Sequence, residues 1–165
     1  DSSWAAEPVL LWLFAVSIPV CHLVLYFEQA GVDASGFEKN ISHKFRTYSY
    51  LYLHMPLNAC INGASGALSL LQCNGKSCEW TSQARITFCV CIGVMLITMG
   101  CLHVVSFYRN YRRCAVRVVS GVLLCVLPTM LTSSRPLVYL AVVAVVAWGQ
   151  VLLDYAPYFT YQGAS

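Results

Sequence analysis

Apolar residues run along this chain in five stretches, each close to the roughly 20 residues needed to cross the hydrocarbon layer of a bilayer. They cover Pro8 to Phe27, Thr47 to Gln72, Ile86 to Tyr108, Ala115 to Leu131 and Pro136 to Leu153. The periodicity is that of helices, so the expected fold is all-α: a polytopic bundle of five transmembrane helices forming one domain. Between the first two stretches, residues 28–46 are polar and of mixed charge, with Gly31 and Gly36 as breakers, and are expected to form the longest loop. The basic run Arg109, Arg112, Arg113 reads as a tight turn between the third and fourth stretches, which makes them an antiparallel hairpin. The polar, aromatic tail after Leu153 is expected to lie along the interface.

The second stretch differs from the others because polar residues recur inside it. Tyr50, His54, Asn58 and Asn62 repeat every four residues, so on a helix they share a face, with Ser65 and Ser69 near its continuation. Ala59, Gly63 and Ala67 form a small-xxx-small track that lets a neighbouring helix approach closely, and Pro56 is expected to kink the helix. A polar stripe in lipid needs partners, either interhelical hydrogen bonds or a polar ligand path. This stretch is therefore expected to be the central helix of the bundle.

Composition agrees with a membrane solvent. Of 165 residues, 58% are hydrophobic and 10% charged, and the mean hydropathy is +0.64, whereas a soluble domain carries about 25% charged residues. The formal charge of +3, confined to short segments, gives no reason to expect nucleic-acid binding. The ten basic residues report orientation instead. Lys39, Lys44, Arg46, Arg109, Arg112, Arg113 and Arg117 fall on one side, against Lys76, Arg85 and Arg135 on the other. By the positive-inside rule the N-terminus is outside and the C-terminus inside. Membrane lipids are the expected surroundings, with other membrane subunits or further copies of the chain as candidate partners. Arg109, Arg112 and Arg113 are also candidates for binding anionic lipid head groups.

Of nine cysteines, seven fall in or beside apolar stretches and read as small hydrophobes; Cys73 and Cys78 flank an Asn-Gly turn in a loop assigned to the outside, where a disulfide can form. With the helices alternating in direction, His22, His54 and His103 come to a similar depth, roughly 8–10 Å from the inner surface. Three histidines at one level are candidate ligands for a metal or haem, or hydrogen-bonding partners between helices. The sequence names no cofactor. It also contains no HExxH, nucleophile elbow, glycine-rich phosphate loop or intramembrane aspartate pair, so catalysis is not expected.

The segment YSYLYLHMPLNACINGASGALSLL resembles the Tyr-x-Tyr-x-His-x-Pro segment of the low temperature requirement protein A (LtrA) family, through Tyr50, Tyr52, His54, Pro56, Gly63 and Gly66. The resemblance implies a multi-pass membrane protein with a role linked to growth in the cold, matched to the C-terminal half of longer family members. The family's acidic N-terminal motif is not found, and the first residue is not methionine, so a fragment or a reduced relative is expected. Two functions follow as expectations: transport or sensing of a small solute or ion along the polar face of the second helix, or an accessory role in a larger membrane complex, with haem or pigment against the histidines.

Overall fold

A computed structural model describes residues 6–40, 44–74, 77–106, 111–131 and 135–162, with side chains described for 6–26, 48–49, 52–71, 79–104, 111–131 and 135–154. Five helices are present: α1 (Ala6–Asn40), α2 (Lys44–Ser69), α3 (Ser82–Ser106), α4 (Tyr111–Met130) and α5 (Pro136–Gln162). Four of them, α1, α3, α4 and α5, are long and apolar enough to cross a membrane. The polar stripe of α2 lowers its hydropathy; α2 lies antiparallel beside α3, with Gly63 against Cys91 and Ala67 joined to Trp80. The fold is that of a multi-pass helical membrane bundle. The strands among the described residues form a short antiparallel hairpin, β1 (Gln72–Asn74) and β2 (Ser77–Glu79), joining α2 to α3.

Three expected boundaries move. The expected loop at residues 28–46 is helical as far as Asn40, and α2 begins again at Lys44. Glu28, Gln29, Ala30, Ala34, Glu38 and Lys39 are good helix formers, and two interior glycines at about 1 kcal/mol each do not stop a helix already nucleated in the apolar stretch before them. Arg112 and Arg113 belong to the first turn of α4 rather than to a connecting turn, and α5 continues past Leu153 to Gln162.

The helices form two layers. In one, α2 and α4 flank α3; in the other, α1 and α5 pair with each other and rest across α3. The α1 stripe Leu11, Ile18, Cys21 and Leu25, with half-buried Phe14, advances by three and four residues in turn, the spacing that seats side chains between those of a partner helix. On α5 the buried residues Tyr139, Val143, Ala147, Gln150 and Asp154 advance by three and four residues in the same way. The central helix is therefore α3 and not α2. Its window of span residues is 61% buried, against 28% for α1 and 17% for α4. A helix that is apolar all round loses least by being surrounded, whereas the polar stripe of α2 keeps that helix at the edge.

Small residues set the spacing within the first layer. A Cβ placed on Gly93 would lie 2.5 Å from the Gly121 carbonyl oxygen, so α3 and α4 touch through their backbones. A Cβ on Gly63 would lie 2.6 Å from Cys91 Sγ, and Ala67 is buried, so two members of the expected small-residue track do meet α3; Ala59 is exposed. The far end of this layer is tied by Trp80, whose indole donates to the Ala67 carbonyl at 2.7 Å. That carbonyl belongs to the last turn of α2, where helical geometry leaves acceptors without a partner. Thr81 then caps α3, accepting from the Ala84 N–H at 3.2 Å.

Candidate functional site

The α1/α5 pair meets the three-helix layer along two flanks, and the two are built differently. On the α1 side, α1 and α2 stand apart and leave a lateral cavity of about 560 Å³. Its floor is α3, through Phe88, Ile92, Met95 and Met99. One wall is α1, through Ile18, Pro19, His22, Leu23 and Tyr26; the other is α2, from His54 to Leu68. Leu23 is 56% exposed and Ile61 49%, so the mouth opens sideways between α1 and α2, toward lipid in a membrane.

Polar groups gather at one end. Tyr26 Oη and His54 Nε2 are hydrogen-bonded at 3.1 Å across the two walls, with the rings edge to face at 5.9 Å. His22, one turn before Tyr26 on the same face, donates Nδ1–H to the Ile18 carbonyl of its own helix at 2.7 Å. Its Nε2 is buried without a hydrogen-bond partner. Asn58 and Ser65 add polar atoms along the α2 wall, and the rest of the lining is apolar.

The expected stripe on α2 only half survives. At about 100° per residue, Ile61, Ser65 and Leu68 come within about 40° of His54, while Asn62 has drifted about 80° to the opposite border. His54 and Asn58 accordingly line the cavity, Asn62 is exposed outside it, and the side chain of Tyr50 lies outside the described residues. Spacing by four follows a helix face for only two or three steps; Ser65, eleven residues after His54, keeps the angle better. Among the LtrA-like positions, His54 reaches the cavity, Gly63 meets Cys91, and Tyr52 and Gly66 face outward.

The three histidines do not converge. His22 and His54 share the cavity, but His103, one turn beyond Met99 on α3, is not part of its lining and lies within electrostatic reach of Arg117, Asp154 and Arg113. Among the described residues no three His, Cys, Asp or Glu side chains form a metal-holding group. Equal depth along antiparallel helices set the expectation, and depth alone does not bring three side chains together.

The second flank, between α5 and α4, is closed by a polar seam. Arg117 and Asp154, 1% and 2% exposed, form an ion pair, and Arg113 adds a contact to the same carboxylate at 3.5 Å and a hydrogen bond to the Asp154 carbonyl at 3.0 Å. One turn along, Gln150 donates to Ser120 at 2.8 Å. Sequence reasoning took Arg117 for an orientation signal and placed Asp154 just beyond the last span. The signal was present: in an antiparallel pair the start of one helix lies beside the end of the next, and Arg113 and Arg117 share a face at i, i+4. Arg113 is thus turned inward, Arg112 is exposed, and Arg109 lies outside the described residues. Cys73 and Cys78 stand directly opposite each other in the hairpin register; their side chains lie outside the described set.

No family model, curated protein or solved structure matches this chain.

Proposed function

We propose that this multi-pass membrane protein binds a small lipophilic molecule, drawn sideways from the bilayer into the crevice between α1 and α2, and that it carries or senses that molecule. The observation that supports this most directly is a cavity of about 560 Å³ with an apolar floor and a few polar groups on its walls, most of them near one end. That is the usual distribution in small-molecule sites, where apolar surface supplies affinity and a few polar atoms fix orientation. It favours a lipophilic ligand over the hydrated solute or ion expected from the α2 stripe, because most of the lining, and the whole of the α3 floor, is apolar. Kinship with the LtrA family is proposed on the Tyr52, His54 and Pro56 motif, and an inside C-terminus on the clustering of basic residues. The accessory-subunit alternative would draw on outward apolar residues such as Leu123 and Met130, which lipid covers equally well.

The test is equilibrium binding of a fluorescent fatty acid to the protein in lipid nanodiscs. Ser65, exposed on the rim, is replaced by Trp to plug the mouth. Saturable binding that is lost in Ser65→Trp while the unfolding temperature holds is the expected result; unchanged binding in the plugged variant would sink the proposal.

A further inference from the structure

The hairpin between α2 and α3 sets two cysteines face to face by its register. Cys73 of β1 and Cys78 of β2 are direct partners, flanked by the pairs Gln72 with Glu79 and Asn74 with Ser77. Directly opposed residues of an antiparallel pair have Cα atoms about 4.5–5.5 Å apart. A disulfide bridges Cα separations of roughly 4.4–6.8 Å, so the backbone accepts one without rearrangement. Two residues, Gly75 and Lys76, connect the strands, and the length of a hairpin connection fixes its register. The other seven cysteines are free thiols on α1, α2, α3 and α4.

We propose that Cys73 and Cys78 form a disulfide that staples the hairpin and, through Trp80, holds the end of α2 against the start of α3. Strands of three residues each make a hairpin that is marginal in water by itself, and a cross-link removes its open conformations. Immediately after β2, Trp80 is 4% exposed, donates to the Ala67 carbonyl and packs its ring on Phe88 at 5.0 Å between centroids. Phe88 and Leu68 line the crevice at the end away from Tyr26 and His54, so the stapled hairpin also steadies that end. In the bond-forming step each thiol loses its hydrogen. Two protons and two electrons pass to a disulfide donor, which leaves as two thiols. The oxidising surroundings rest on the inside C-terminus proposed above, which places the hairpin outside.

The experiment treats the full chain in its own sealed membrane with a membrane-impermeant maleimide, then purifies it without reductant for peptide mass spectrometry. The expected result is a peptide holding Cys73 and Cys78 that carries no label and is lighter by two hydrogen atoms than its reduced form. Prior reduction with an impermeant phosphine is expected to let both cysteines take the label, and Cys73→Ser to open Cys78 to it without reduction. Free thiols at both positions that label in the sealed membrane would overturn the disulfide and leave the outside placement standing. Thiols that label only after permeabilisation would overturn both. A bridge from either cysteine to a second chain would overturn the pairing within the hairpin. The staple itself is read by hydrogen exchange: reduction is expected to speed exchange in the last turn of α2 and the first turn of α3 in the wild-type protein, but not in the double variant Cys73→Ser with Cys78→Ser. Exchange there that ignores reduction in the wild-type protein would overturn the staple.

Discussion

The two flanks of the α1/α5 pair solve the same problem in opposite ways. Against α4, α5 is held by charges: Arg117, Arg113 and Asp154 reach across a gap that the backbones do not close, and Gln150 with Ser120 repeats the device one turn away. Against α2, α1 is held at the polar end by the Tyr26–His54 hydrogen bond, and the space beside it stays open. Buried ion pairs tolerate no vacancy, because either partner left alone in low dielectric is strongly unfavourable. A single side-chain hydrogen bond loses far less when it is exchanged, so a flank built on one can exchange partners with a ligand. The ion-paired flank is a clamp and the open flank a site.

The sharpest way to break this contrast is to remove the carboxylate. Asp154→Ala leaves Arg117 buried and uncompensated, and is expected to cost about 3–5 kcal/mol in unfolding measured in mixed micelles. The double replacement Arg117→Met with Asp154→Leu is expected to recover most of that loss. A single variant as stable as the wild type would mean that the seam is not a clamp. Next in size is Gly93→Leu, which drives a side chain into the Gly121 carbonyl and is expected to cost about 1–3 kcal/mol or more by pushing α4 off α3. Smaller again is Tyr26→Phe. It removes one partly buried hydrogen bond, with an expected loss of about 0.5–1.5 kcal/mol and a larger relative effect on fatty-acid binding than on stability. Smallest is Asn62→Leu, on the outer surface of α2, expected to stay within about 0.5 kcal/mol and to leave binding unchanged, in contrast to the lining residue Asn58.

The contrast also separates what could be read along the chain from what could not. Hydropathy located four of the five helices, because lipid demands length and apolarity over a whole segment, and helical periodicity located α2. Gly63 and Ala67 announced the approach of α2 to α3, since small side chains leave room only for another helix. The crevice was legible only through His54 and Asn58. Asn62 was drawn in by spacing, and its angle around α2 put it elsewhere; His103 was drawn in by depth, and it falls one turn beyond the cavity floor. The clamp was missed because Asp154 sits where the apolar run ends, and a pairing that spans 37 residues is invisible until two helices are laid side by side. Polarity pointed to α2 as the centre, but a stripe of polar residues belongs at an edge where water, head groups or a ligand can reach it, and the featureless α3 took the middle.

The central claim is that the open flank holds a lipid-borne molecule, and the direct measurement is photolabelling of the protein in nanodiscs with a diazirine-bearing fatty acid, followed by peptide mass spectrometry. Adducts on the cavity floor at Ile92, Met95 or Met99, competed by unlabelled fatty acid and absent in Ser65→Trp, are the expected result. Adducts confined to outward residues such as Leu123 and Met130, with no competition, would contradict it.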